Sequence, residues 1–157
     1  MKIERHGSAI WYGDFAQGCG SLSTESAALD DHYYCAASRF DRHCGSNPEE
    51  LLATAHAGCF NMTLSKVLAD AHLKATQLLT SATVTLEQHD ARFTITAVHL
   101  SLRAVVPNTD PIDFRRLVAM ARAKCPLTRL LNAEVTLDTS LQGEWGTPAT
   151  AAAMASV

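Results

Sequence analysis

The stretch Asn47-Pro48-Glu49-Glu50-Leu51-Leu52-Ala53-Thr54-Ala55-His56-Ala57-Gly58-Cys59-Phe60 decides how this chain is read. Asn47 has the short polar side chain of a helix N-cap, Pro48 suits the first helical position, and Glu49 and Glu50 suit the positive end of a helix dipole. A helix is therefore expected from Pro48 to about Ala71. Its small residues Ala53, Ala55, Ala57 and Gly58 let another backbone approach closely, so the helix is expected to be central and buried. A cysteine sits in the middle of it.

Outward from this helix the grammar changes. Residues 8 to 40 read as strands and turns: Ala9-Ile10-Trp11-Tyr12, the Gly13-Asp14 turn, the Gly18-Cys19-Gly20 break, and Tyr33-Tyr34-Cys35 after Asp30-Asp31. This predicts a small antiparallel meander, with Arg39 near the end of its last strand. Downstream, Thr80 to Glu87 and Phe93 to Val106 read as strands joined at His89-Asp90-Ala91. Asp110-Pro111 starts a helix to about Ala123, Cys125-Pro126 starts a short one, and Ala133 to Leu141 alternates as a closing strand. Strands and helices come in blocks, which predicts an α+β fold with antiparallel sheets. Residues 1–142 form the expected domain, and the Ala-, Thr- and Gly-rich residues 143–157 read as a mobile extension.

Composition narrows the function classes. The chain has 157 residues, 47% of them hydrophobic and 18% charged, with a net charge of −3. One domain is expected, with no basic surface for nucleic acid. No stretch nears the ~20 apolar residues of a membrane span, and Met1 to Ser8 lacks an apolar signal core, so a cytoplasmic location is expected. Five cysteines, at 19, 35, 44, 59 and 125, are an odd and irregular set, unlike the framework of a small disulfide-stapled domain. His56 and Cys59 share a helical face, but no second close pair completes a zinc pattern, and no Gly-x-Ser-x-Gly elbow supports a serine hydrolase.

Cys59 and Cys125 stand in the two most structured contexts. If the fold brings their sulfurs together, one can attack an oxidant and the other resolve the product. Cys125 lies at a helix start, where backbone N–H groups favour a thiolate locally. Cys59, ten residues into its helix, needs a cation from elsewhere. Arg39 is the best donor, with Glu49 as its orienting carboxylate. Ten residues at about 1.5 Å each put Glu49 roughly 15 Å from Cys59 along the axis. Either the helix breaks or Glu49 serves a site shared with a partner subunit, and the second is preferred.

Taken together, these segments resemble the OsmC/Ohr family of osmotically inducible and organic-hydroperoxide-resistance proteins, from about Ile3 to Gln142. The similarity rests on Trp11-Tyr12-Gly13-Asp14, Gly18-Cys19-Gly20, Ser23-Thr24-Glu25-Ser26, the Asn47 and His56-to-Phe60 segments, Ala123-Lys124-Cys125-Pro126, and Ala133 to Asp138. The resemblance implies an intertwined homodimer with long central helices, and cysteine-based reduction of hydroperoxides without metal or organic cofactor. It implies Cys59 as peroxidatic residue, Cys125 as resolving residue, Arg39 with Glu49 as the pair holding the thiolate, and a lipoyl-type dithiol as reductant. Gln17 and Gly18 occupy the loop where the Ohr branch keeps its arginine, so Arg39 places the chain in the OsmC branch. Phe60, Met62, Leu127 and Leu130 are candidates for an apolar mouth. Cys19, Cys35 and Cys44 fall outside the family's catalytic set. Cys44 could act as a competing resolving thiol or be oxidised as a bystander. The competing expectation is a non-catalytic member of the same fold that binds a small apolar ligand.

Overall fold

The computed structural model of the chain describes residues 1–41 and 44–142. The expected extension at 143–157 lies outside them. The first sheet is an antiparallel meander of β1 (Gly7–Tyr12), β2 (Cys19–Thr24) and β3 (His32–Cys35), in that order. It is thin on its own: all six residues of β1 are exposed.

A short helix follows that the sequence reading did not contain, α1 (Ala36–Phe40). Its N-cap is Cys35, whose sulfur accepts from the Ser38 amide at 3.3 Å, while the Ser38 hydroxyl accepts from the Cys35 amide at 3.0 Å. This is the reciprocal logic of a capping box with unusual residues in both places. Arg39 therefore rides on a helix and not on a strand end.

The long helix α2 (Pro48–Asp70) is continuous for 23 residues and begins as expected, with Asn47 Oδ1 accepting from the Glu50 amide at 2.9 Å. His56, Phe60, Leu64, Val67 and Leu68 form its buried stripe at helical spacing. The opposite face is not covered within the chain: Ala55, Gly58 and Met62 are exposed, and no atom lies within 4 Å of where a Gly58 side chain would begin. The expected central, buried helix is therefore covered on one face within the chain, and Ala55 and Gly58 of its small residues lie away from that stripe.

The stripe packs on the second sheet, built from β4 (Gln77–His89), β5 (Arg92–Val105) and β6 (Glu134–Leu141), with β5 in the middle. β4 and β5 form a hairpin closed by Asp90 and Ala91, both at positive φ (49° and 65°), the mirror-image geometry that matches strand twist. Val98, Leu100, Leu102 and Ala104 alternate inward along β5. The remaining core comes from α3 (Pro111–Lys124), capped by Asp110, through Phe114, Leu117, Val118 and Ala121.

One detail of the expected α+β architecture is corrected. β6 runs parallel to β5, so the second sheet is mixed and not antiparallel. The chain leaves β5, crosses through α3 and α4 (Pro126–Leu130), and re-enters from the same end, which a parallel strand requires.

Leu64 is fully buried where α2 meets the core. Leu64→Ala is expected to destabilise the chain by about 2–5 kcal/mol in urea unfolding. A loss below about 1 kcal/mol would mean that the stripe does not anchor α2.

Candidate active site

Two local rules position the sulfurs. The residue before a proline avoids helical ψ, so Pro126 ends α3 at Lys124 and leaves Cys125 extended, at φ −62° and ψ 121°. Cys125 thus closes α3 and opens α4 at once, its amide bonded to Ala121 O at 2.9 Å and its carbonyl to the Arg129 amide at 3.1 Å. On α2, Cys59 precedes the core residue Phe60 and sits at the edge of the buried stripe. The result is a sulfur–sulfur distance of 3.6 Å. A disulfide needs about 2.05 Å, so a small movement of each side chain suffices.

The two thiols differ in access and in acidity. Cys125 is wholly buried, whereas Cys59 is half-buried and opens onto a cavity of about 770 Å³ with Gly58, Met62, Val67 and Pro126 among its apolar lining and Lys66, Asp70 and Lys124 as its charged members. Burial pushes the Cys59 thiol up; the Leu127 amide opposes it, the neighbouring Cys125 sulfur adds to the rise, and the Thr63 hydroxyl lowers it slightly. At Cys125 burial is again the largest influence and raises the pKa. It is outweighed by the Thr128 amide and hydroxyl, the Cys59 thiol and the Leu127 amide, which together bring Cys125 below its ordinary value. The Cys125 side chain makes no cap hydrogen bond at the start of α4, so the stabilisation is a sum of several contributions. Within one chain the surroundings favour the thiolate at Cys125, while a molecule arriving from solvent meets Cys59.

Sequence reasoning missed the third participant. Thr128 Oγ1 lies 2.9 Å from His56 Nε2, and His56 is fully buried with Nδ1 unpartnered. The same hydroxyl favours the Cys125 thiolate. The only sequence signal is spacing: Thr128 is three residues beyond Cys125, the place where a side chain or amide turns back to an N-cap. His56 belongs to this hydrogen bond and to the core stripe, and burial lowers its pKa.

Arg39 and Glu49 meet each other as expected. Nε donates to Oε2 at 3.0 Å and one terminal nitrogen to Oε1 at 2.5 Å, a bidentate fork in a half-buried setting. The guanidinium carbon lies 5.4 Å from the Phe40 ring centre and 5.9 Å from that of Phe93, and Phe15 stacks edge-on against Phe40. The fork does not reach Cys59 in the same chain: α2 is unbroken, which keeps Glu49 roughly 15 Å along its axis from Cys59. Of the four expected residues, the chain joins Cys59 to Cys125 and Arg39 to Glu49, as two separate pairs. Of the expected apolar mouth only Met62 lines the cavity; Phe60 points into the core, Leu127 packs against it, and Leu130 is exposed elsewhere.

Removing the Thr128 hydroxyl is expected to raise the Cys125 pKa, because a favourable interaction with the thiolate is lost. In Thr128→Val the pH midpoint of Cys125 ionisation, followed by the 13Cβ shift of labelled cysteine, moves up, and Thr128→Ser restores it. An unchanged midpoint in Thr128→Val would mean that the α4 amides act alone.

Comparison with known proteins gives this arrangement a context. A family model described as OsmC-like protein matches residues 40–140. The chain is 42% identical over 142 residues to the protein named peroxiredoxin OsmC of Escherichia coli (strain K12), covering 90% of this chain and 99% of that one. It is 33% identical over 99 residues to an organic hydroperoxide resistance protein-like chain of Mycoplasma pneumoniae, covering 62% and 69%. Among solved structures, an OsmC-like protein of Vibrio cholerae superposes with a TM-score of 0.71 at 13% identity, over 88% of this chain and all of that one. The organic hydroperoxide resistance protein OhrB of Bacillus subtilis superposes with a TM-score of 0.62 at 22% identity, over 87% and 98%. The chain belongs to the OsmC-like family and has its fold.

Proposed function

We propose that this member of the OsmC-like family is a thiol-dependent peroxidase that reduces hydroperoxides through a Cys59–Cys125 disulfide. The observation that carries the reading is the 3.6 Å sulfur pair with one sulfur open to an apolar cavity and the other buried beneath it. The names of the peroxiredoxin and hydroperoxide-resistance relatives support the same chemistry.

The thiolate of Cys59 attacks the peroxide O–O bond. One oxygen stays on sulfur as sulfenic acid, and the other leaves as alkoxide, or hydroxide from hydrogen peroxide, and takes a proton. Cys125 then attacks the sulfenic sulfur, water leaves, and the disulfide forms. An external dithiol of the lipoyl type returns both sulfurs to thiols by exchange. The apolar lining favours an organic hydroperoxide over hydrogen peroxide.

The raised pKa of Cys59 within one chain is a reason to look beyond it. A permanent cation brought within a few ångströms reverses the sign. The Arg39–Glu49 fork has the chemistry for this, because a guanidinium held by a carboxylate on one edge keeps N–H groups on another. The uncovered face of α2 around Gly58 supplies the place for it, in a homodimer where the partner subunit's Arg39 and the partner subunit's Glu49 complete the site around Cys59. Domain residues 1–142 suffice for this reading.

With a dithiol and cumene hydroperoxide, Cys59→Ser is expected to abolish consumption, and Cys125→Ser to give one turnover that ends in an over-oxidisable sulfenate. Arg39→Ala is expected to lower kcat/KM by roughly 10²–10³-fold, the usual cost of one preorganised charge-stabilising donor. Co-refolding Cys59→Ser chains with Arg39→Ala chains then restores a fraction of the activity, because mixed dimers contain one intact site. Full activity in Cys59→Ser would refute the peroxidase reading, and no rescue on mixing would refute the shared site.

A further inference from the structure

Three cysteines take no part in the proposed chemistry, and two of them are neighbours. Cys19 opens β2, Cys35 closes β3, and the antiparallel register sets them directly opposite each other. Directly opposed residues share a sheet face, with Cα atoms about 4.5–5.5 Å apart, inside the range that a disulfide spans. Both are free and half-buried, so solvent reaches them. Cys44 is exposed and lies on the loop beyond α1.

The surroundings of Cys35 are those of a nucleophile. Its sulfur receives the Ser38 amide at the start of α1. Tyr33 lies on the same face two residues earlier, and its hydroxyl interacts with the sulfurs of Cys35 and Cys19. The Tyr33 hydroxyl is the largest influence on the Cys35 pKa and lowers it, with the Ser38 amide next, ahead of the opposing effect of burial. Cys19 has no comparable set of donors among the described contacts.

We propose that Cys35 and Cys19 form a second oxidisable dithiol, closed by hydroperoxide into a cross-strand disulfide between β2 and β3. The Cys35 thiolate attacks the O–O bond, keeps one oxygen as sulfenic acid and releases the other as alkoxide, which takes a proton. The Cys19 thiol then attacks the sulfenic sulfur, a water molecule leaves, and the two sulfurs are bonded. Atoms and electrons balance with one hydroperoxide reduced per dithiol oxidised. The site needs neither Cys59 nor Cys125.

Closure has a local consequence. The Cys35 sulfur is the N-cap of the five-residue helix that carries Arg39. A disulfide sulfur bears no thiolate charge and is a poorer acceptor, so the Ser38 amide loses part of its partner and α1 loosens. On the reading that Arg39 serves the peroxidatic thiol, this links oxidation of the second dithiol to the activity of the first.

The test uses the full chain carrying Cys44→Ser, Cys59→Ser and Cys125→Ser, in which only Cys19 and Cys35 remain. Cumene hydroperoxide is expected to consume both remaining thiols, and dithiothreitol to return them. Non-reducing digestion with Glu-C, which cuts at Glu25 between the two, shows their peptides joined. Adding Cys35→Ser is expected to leave Cys19 reduced. Persistence of both thiols under excess hydroperoxide, or conversion of Cys35 to sulfinate without joining, would overturn the proposal. Should the triple variant fail to fold, the same digest of the wild-type chain after excess hydroperoxide decides, and absence of the joined Cys19 and Cys35 peptides counts against it. The two dithiols are read separately: loss of the Cys59–Cys125 peptide alone refutes the peroxidase reading and leaves this one standing.

Discussion

Burial of one helical stripe is the constraint from which the candidate site follows. Phe60, Leu64, Val67 and Leu68 leave water on the same side of α2, against Val98, Leu100 and Leu102 of β5. At about 1.5–3 kcal/mol for each large side chain, this gross term is on the order of 10 kcal/mol before conformational entropy is subtracted. That is enough to fix the rotation of the helix about its axis. Once Phe60 faces inward, Cys59 has no freedom left: one residue back along the helix, it must sit at the border between core and cleft. The half-burial that leaves Cys59 reachable, yet raises its pKa, is a by-product of where Phe60 must go.

The same rigidity separates the charges from the sulfurs. An unbroken helix is a ruler, and on it the Arg39–Glu49 fork and the Cys59–Cys125 pair are about two to three turns apart. A flexible segment could have folded the guanidinium onto the thiol within one chain. A continuous helix cannot, so on the proposed function the Arg39 guanidinium reaches Cys59 only from a partner subunit. The uncovered strip of Ala55, Gly58 and Met62 is the side of α2 on which such an approach meets no steric resistance. Geometry that looks incomplete in one copy becomes, on the proposed function, the reason for two.

Much of this was legible in the sequence, and the reasons are uneven. Asn47-Pro48-Glu49-Glu50 announces a helix because each residue satisfies a terminal donor or the dipole by itself, so tertiary context has little to add. The hairpin at Asp90 and Ala91 and the helix after Asp110 were legible on similarly local grounds. The helix carrying Arg39 was not, because its cap is a cysteine answered by a serine, and neither residue type advertises that role. The parallel pairing of β6 with β5 was hidden for a different reason: strand direction depends on how far a crossover travels, and no residue in β6 records that. Thr128 was missed because its meaning lies in being near His56, 72 positions away in the chain.

The two cysteine pairs show how context divides one chemistry between different uses. Cys59 and Cys125 meet across packed helices, where the distance between them is held by the core and any disulfide must be accommodated by side-chain rotation alone. Cys19 and Cys35 meet across neighbouring strands, where register fixes the pairing and the face is open. Acidity is also distributed in opposite senses. In the first pair the accessible sulfur is the less acidic one, so on the proposed function it depends on the partner subunit's Arg39. In the second pair Cys35 is at once accessible and acidified by its own strand and helix. On the proposal of a second dithiol, such a thiol reacts without an assembled partner. On the two proposals the chain has one dithiol whose reactivity follows assembly and another whose reactivity is intrinsic to the fold, and Cys35 of the second caps the helix that carries Arg39.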